Sequence, residues 1–455
     1  MDPSSDRVSV DHGVRQGMEN RRVIIVGAGI GGLAAAYWLG RRGFEVEVLE
    51  ASDRPGGRMV TLEHRGDRVD VGAQFYHTDF RNAYELLEAV GLTSAQRPVV
   101  GRTQYTLNDG SRHLFNPKAP YMKLLGWRGN LQLYRFVLRH ALFGGRSEAY
   151  RVPREIPDTD DVGVLSSFDS ASDRAIRDYL VTTLAFGMTS AAPEWSSLYH
   201  FIRLFRNTIF ESYFGLTRGV SWLAEALAER LPVEYEAPVR QLVMEGDRVV
   251  GVEMEGDGSV RKAGHVIVAV TPPAAAALLP EPLGEERSFF RSVLYTPAAM
   301  PVFFLDRPLR QDVWCYLNDP AGERTFKFAL DARAKCPEMC PSGKAALTGW
   351  AVYPTTLALM EQTDEEVLAK AVEDIEWMIP GFSGWIEEAK VVRHAFVNAL
   401  YPPGSYRRLA EFRERAERLR GVSFSSSALR GTSMEAAMSS AAAAVRRVCA
   451  WGGTA

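Results

Sequence analysis

One stretch limits what this chain can fold into: "VIIVGAGIGGLAAAYWLGRRGFEVEVLEASDRPGGR", residues 23–58. Residues 23–26 are a short apolar, β-branched run that predicts a strand, residues 27–32 a turn, and residues 33–39 a helix. Gly27 permits the tight turn, Gly29 lets the backbone come close to a pyrophosphate, and Gly32 lets the helix pack against the sheet. The helix N-terminus then offers free N–H groups and the positive end of its dipole to phosphates. A second alternating run, residues 45–49, ends at Glu50, whose carboxylate is placed to accept ribose hydroxyls. Strand, turn, helix, strand and acid in this order specify a dinucleotide-binding unit more narrowly than three glycines do.

Nicotinamide and flavin dinucleotides share such a unit, so the cofactor is decided downstream. Arg54-Pro55-Gly56-Gly57-Arg58, directly after the acidic strand end, resembles the double-glycine motif of the flavin-containing amine oxidase, protoporphyrinogen oxidase and phytoene desaturase superfamily. The resemblance implies that FAD is the cofactor, with Arg54, Gly56, Gly57 and Arg58 along its pyrophosphate and ribityl chain. "VDVGAQFYH", residues 69–77, is similar to the segment that passes the isoalloxazine ring, which brings Gln74, Tyr76 and His77 into consideration. The implied fold class is α/β: a Rossmann-type FAD-binding domain, glutathione reductase-like and of the amine oxidase type, interrupted by a mixed α+β substrate-binding domain.

The chain accordingly is expected to leave and re-enter one domain. Residues 1–20 are polar and predict a disordered tail. Residues 21–92, 216–281 and 394–455 are expected to bind FAD; residues 93–215 form a helical and residues 282–393 an antiparallel-sheet part of the substrate domain. In the second FAD part a helix over "GVSWLAEALAERL" is followed by alternating runs at 239–244, 249–254 and 265–270, read as a meander. The resemblance places the backbone of Val239 at the adenine. The closing part, residues 420–448, has strand, loop and helix in order; the helix from Met434 would aim its N-terminus at the flavin N1 and C2 carbonyl.

Composition excludes several classes. With 53 basic and 56 acidic residues the net charge is −3, and the signs are interspersed, so nucleic acid is not an expected partner. Four cysteines in 455 residues form no disulfide framework, and a reducing, cytoplasmic setting fits. Cys336 and Cys340 lack a second ligand pair nearby, and no metal is assigned. No apolar run reaches the roughly twenty residues that a membrane span needs. Residues 121–143 alternate basic and apolar side chains; a basic-faced helix of the substrate domain is the preferred reading, with contact to a membrane surface as the alternative. The oligomeric state is left open.

Departures from the superfamily's pattern sharpen the chemistry. Where relatives end the closing strand in glycine and an acid, this chain reads Ser425-Ser426-Ser427, with hydroxyls from Ser426 and Ser427 in place of a charge-assisted bond. The lysine that amine oxidases place early in the second excursion is missing from "VLYTPAAMP", residues 293–301. Ser433 stands where they often carry an aromatic ring, leaving Tyr406 as its counterpart. His77 is the candidate general base, since an unperturbed imidazole suits that task, with Tyr76 beside it. The expected partner is a small, partly apolar molecule, and the preferred activity is its dehydrogenation by hydride transfer to flavin N5 in a bacterial biosynthetic pathway. Amine oxidation, a flavoprotein isomerase, mutase or cyclase, and a relative that has lost FAD remain as alternatives.

Overall fold

The computed structural model describes residues 21–116, 121–141, 150, 152–153, 155–169 and 173–451; the expected disordered tail lies outside them. Two compact units divide the chain. The first comprises Met1–Gly57, Leu223–Val293 and Glu411–Ala455, the second Arg58–Trp222 and Leu294–Ala410. These bounds depart from the expected ones, because residues 58–92, 216–222 and 394–410 fall in the second unit and residues 282–293 in the first. The reason is local bonding. Thr61–His64 and Asp67–Asp70 pair as a hairpin, and Asp70 Oδ1 accepts from Thr61 Oγ1 at 2.8 Å and from Val220 N at 2.9 Å.

The first unit holds a five-stranded sheet in the order Val233–Glu234, Glu45–Leu49, Arg22–Val26, His265–Val268, Val422–Phe424, parallel throughout. A parallel sheet is covered on both faces, which is why the run from Val23 to Ile25 is wholly buried and apolar. Helices Ile30–Gly40 and Met434–Trp451 bury most of their residues. The expected meander is corrected in its third strand: Val239–Glu245 and Arg248–Met254 pair with Val260–Lys262, while His265–Val268 sits between the first and closing strands of the parallel sheet. Four consecutive buried apolar-rich positions there suit a central parallel strand better than a solvent-facing one.

The second unit is built on a seven-stranded sheet in the order Ile386–Ala399, Tyr295–Leu305, Ala346–Ala351, Phe326–Asp331, Val313–Asn318, Arg102–Thr106, Arg112–Phe115. All pairs are antiparallel except that of Val313–Asn318 with Arg102–Thr106. The last two strands lie in residues 93–215, which were expected to be helical; polar residues mask their alternation in sequence. Strand periodicity splits the interior into two cores: Met300, Val302 and Phe304 point to one, Ala299, Phe303 and Leu305 to the other. Helix Asp364–Met378 closes the second core with Val367, Ala371 and Ile375. Its N-terminus is fixed by a capping box between Thr363 and Glu366.

Inside this apolar unit lies a fully buried ion pair. Lys335 Nζ donates to Asp70 Oδ2 at 2.7 Å, to Gln74 O at 2.8 Å and to Gln74 Oε1 at 3.3 Å, with both ionic side chains 1% exposed. All three ammonium protons are used, so the desolvation cost is offset by geometry. Lys335→Met would strand the Asp70 carboxylate. The expected loss is about 3–5 kcal/mol of unfolding free energy, read as a fall in the urea midpoint; an unchanged midpoint would show the pair to be dispensable.

Candidate functional site

The C-terminal ends of the first unit's strands are level, with Val26 beside Leu49 and Val268, and Val268 beside Phe424. Chain leaving these ends converges there. Gly27 N donates to Leu49 O at 2.7 Å, Ala269 N to Val26 O at 2.8 Å and Ser425 N to Val268 O at 2.9 Å. The glycines of the turn differ in what they are for. A Cβ on Gly32 would stand 1.9 Å from the Gly27 carbonyl oxygen, so this position is fixed by packing. A Cβ on Gly29 would meet nothing within 4 Å, and its φ of −66° suits any residue. Nothing in the protein itself demands glycine there, whereas the approach of a pyrophosphate does.

Helix Ile30–Gly40 starts at that glycine with no acidic residue in its first turn, leaving its dipole and first N–H groups for an anion. The double-glycine loop packs on the same turn: Gly56 N donates to Ala28 O at 2.8 Å, and Gly56 forms a bridge with Gly29. Arg54 braces this loop by donating to Pro55 O at 3.2 Å and Gly57 O at 3.0 Å. The Glu50 carboxylate accepts from Ala28 N at 2.7 Å and from Ser52 N and Oγ at 3.0 and 2.8 Å. It keeps acceptor capacity, since a carboxylate has about four lone-pair sites. Ala237 N donates to Glu50 O at 2.9 Å, which brings the start of the Val239 strand to the acid. Tyr235 is within its electrostatic reach, and burial first, then the Glu50 charge, raises the phenol's pKa. Sequence reading missed Tyr235, which no spacing marks.

On the other flank stand the serines. The hydroxyls of Ser425, Ser426 and Thr432 are buried without a hydrogen-bond partner, a costly state unless a ligand supplies one. Ser426 N donates to Ser440 Oγ at 3.1 Å, and Gly31 has no room for a side chain because a Cβ would lie 2.9 Å from Ser425 Oγ. Ser427 is buried and begins a short 3₁₀ turn. Ser433 Oγ accepts from Ala436 N at 3.0 Å and so caps the helix that begins at Met434. Open space at Gly29, a bare helix N-terminus, a fixed acid and orphaned hydroxyls together fit FAD.

The remaining candidates lie in the second unit. Arg58 donates to Val397 O at 2.8 Å and packs 5.8 Å from the Tyr295 ring. Gln74 is turned inward: its Nε2 donates to Asp70 O and Gly72 O, and its Oε1 serves Lys335. Tyr76 is wholly buried, donates to Val220 O at 3.2 Å and stacks on Phe214. His77 is stacked on Phe80 and meets the edge of Tyr213. Burial drives its pKa down to about 3. So weak an imidazole holds a proton poorly near neutrality, unlike the unperturbed ring on which the expectation of a base at His77 was based. Tyr406 is buried too, its hydroxyl 2.9 Å from His200 Nδ1 and its ring 4.8 Å from the Arg203 guanidinium. The structure thus joins Tyr406 to His200 and leaves it in a different network from His77. Sequence reading overlooked His200 and Lys335, both of which lie in helical or strand-end stretches that read as packing.

All four cysteines are buried thiols. Cys336 and Cys340 reach Leu216 O and Arg68 O, each at 3.7 Å.

Comparison with known proteins agrees with the cradle. The family described as flavin containing amine oxidoreductase matches residues 30–449. Hydroxyneurosporene desaturase of Cereibacter sphaeroides is 29% identical over 313 residues, 58% of this chain and 58% of that one. Putrescine oxidase of Kocuria rosea is 39% identical over 95 residues, 21% of this chain and 20% of the relative. The matches therefore span less than two thirds of either relative's length. A redesigned putrescine oxidase of solved structure superposes with a TM-score of 0.73 at 19% identity, covering 94% of this chain and 98% of the other; at that identity the likeness is one of fold.

Two outcomes follow from this geometry. Gly29→Ala should leave the melting temperature of the cofactor-free protein unchanged and weaken FAD binding at least about tenfold, the cost of roughly 1.4 kcal/mol, as read by flavin fluorescence titration. Equal loss of both properties would mean that the glycine serves the fold. The second concerns three buried imidazoles. Burial lowers His77 and His265 to about 3 and His200 well below its ordinary value. Each is protonated in the unfolded chain before the folded one, so its stability is full above about pH 6.5 and is lost as pH falls from there toward 3. The slope is about 1.4 kcal/mol per pH unit for each group. Urea midpoints should drop steeply between about pH 6.5 and 5, and a flat profile would refute the buried neutral rings.

Proposed function

The chain belongs to the flavin containing amine oxidoreductase family and is an FAD-dependent oxidoreductase, and from that premise we propose that it dehydrogenates carbon in a small, largely apolar molecule. When bound, FAD supplies the two-electron acceptor, its N5 taking hydrogen from the donor carbon as a hydride. The chain's residues bind and orient. Gly29 and the first turn of helix Ile30–Gly40 receive the pyrophosphate, Glu50 the ribose hydroxyls, and Ser425 and Ser426 supply hydroxyls that have no other partner.

The observation that carries the reading is strand Tyr295–Leu305, where the amine oxidase resemblance would have a lysine. Every residue from Thr296 to Leu305 is buried and none is charged. The buried ammonium of Lys335 is committed to Asp70 and Gln74, and Ser433 spends its hydroxyl on a helix cap. The desaturase relative supports the same reading.

Such a desaturation removes a hydride from one carbon and a proton from its neighbour, leaving a C=C bond. A carbon made electron-poor by hydride loss is strongly acidic at the neighbouring position, so water suffices as proton acceptor and His77 serves as a neutral, apolar wall. Anaerobic mixing of the FAD-loaded protein with polyenes and other apolar donors should bleach the visible flavin band. Mono- and polyamines should leave it intact, and rapid bleaching by putrescine would sink the reading. His77→Phe should retain its reduction rate within about tenfold, where loss of a general base would cost 10²–10⁴-fold.

A further inference from the structure

Helix Gly126–Phe136 and its continuation Val137–Ala141 are apolar on two faces. One face is accounted for. Phe136 is buried in the main core of the second unit, with Leu125 buried and Leu133 and Val137 packed against it. Asn130 ties the start of the helix down by accepting from Met122 N at 2.9 Å and donating to Met122 O at 2.8 Å.

The other face is exposed. Trp127 is 67% exposed, Leu131 43%, Tyr134 45% and Leu138 54%. Their spacing of four, three and four residues puts them on one stripe, and Tyr121, 50% exposed, precedes them. Of the thirteen large hydrophobic side chains exposed among the described residues, these five fall within eighteen positions, so the patch is a cluster rather than ordinary scatter. Beside the apolar stripe runs a basic one. Arg128, Arg135 and Arg139 are exposed, as is Lys123, with the Arg128 guanidinium 5.1 Å from the Trp127 ring. Residues 121–141 contain no aspartate or glutamate, in a chain whose net charge is −3. An apolar ridge with a basic flank and no acid is complementary to a surface that is apolar beneath and anionic above.

We propose that residues 121–141 dock the protein onto an anionic lipid bilayer, with Trp127, Leu131, Tyr134 and Leu138 inserted at the level of the acyl boundary and Arg128, Arg135, Arg139 and Lys123 against the headgroups. Among the described residues no helix is long and apolar enough to cross a membrane, so the contact is one that lies on the bilayer. The segment is a basic-faced helix of the second unit, as expected, and the proposal adds a role for the apolar side chains that face solvent beside the basic ones. The docking surface stands on its own exposure and charge and does not depend on the chemistry proposed above.

The test is flotation of the full chain with vesicles of phosphatidylglycerol and phosphatidylcholine, against vesicles of phosphatidylcholine alone. The protein should float with the anionic vesicles and much less with the neutral ones, and added salt should weaken the binding. Near an anionic surface each basic residue is worth about fivefold, so Arg128→Gln with Arg135→Gln and Arg139→Gln should cost on the order of a hundredfold in partitioning. Trp127→Ser with Leu131→Ser and Leu138→Ser should cost at least about tenfold, by removing buried apolar area. Because these side chains are exposed, melting temperature and FAD content should stay at the unaltered protein's values. Failure to float with anionic vesicles, or flotation of both triple variants equal to that of the unaltered protein, overturns the proposal. So does a dimer in sedimentation velocity that the serine variant converts to monomer, since a second copy would then be what covers the stripe.

Discussion

Everything in the first unit depends on one close approach of backbone to backbone. The Gly27 carbonyl oxygen lies where a Cβ of residue 32 would be, so the helix can begin immediately after the first strand and lie hard against the sheet. Because it does, the ends of the neighbouring strands can bond the turn directly, through Gly27 N to Leu49 O and Ala269 N to Val26 O. The N–H groups of the first helical turn are thereby held at the carboxyl edge of the sheet, where an anion gains from several donors and a dipole at once. A side chain at residue 32 would push the helix outward and loosen the cradle before it touched any ligand. The acid at Glu50 belongs to the same construction, because Ala28 N, freed by the turn, is one of the donors that hold its carboxylate.

The second unit follows a different rule. Its central strands bury both faces, so their sequences cannot alternate apolar with polar and instead feed two separate cores. Within such an interior an ion pair is a liability unless every donor finds an oxygen. Lys335 meets that condition through Asp70 and two oxygens of Gln74. Its effect is to fix the loop from Asp70 to Gln74 to the strand end that precedes Lys335, a constraint that a hydrophobic pair could not supply with the same directionality.

The parallel sheet and its glycine turn were legible in the sequence because local sterics and hydrogen bonding dictate them. Residues 23–50 contain the strand, turn, helix, strand and acid with no long-range partner needed to recognise them. The closing helix was legible from Met434 in the same way, whereas the cap that Ser433 supplies came only with the structure. What sequence could not show was partnership at long range. Whether residues 265–268 join the meander or the parallel sheet depends on whether Val422–Phe424 lies alongside, some 150 residues later by the register of Val266 with Val422. Residues 102–106 and 112–115 look irregular until Val313–Asn318 pairs with the first of them. The same limit governs the site. His77 has the right side chain for a base, but burial lowers its proton affinity, and that burial includes contact with Tyr213, which is far along the chain. Lys335 reads as part of a packed strand end until Asp70 is seen beside it.

The helix over residues 126–136 shows how far such reasoning reaches when packing is known. Apolar residues all around a helix, interrupted by arginines, are ambiguous in sequence, because a core takes one face and leaves the rest undetermined. Once Phe136 and Leu133 are assigned to the core, Trp127, Leu131 and Leu138 are left as an exposed apolar stripe among the described residues, which in water costs solubility. A largely apolar substrate is scarce in water and concentrated in lipid, so an enzyme that acts on one gains from residence at a bilayer surface through effective concentration alone. The stripe is read from exposure and charge alone, so it stands or falls separately from the apolar substrate proposed above.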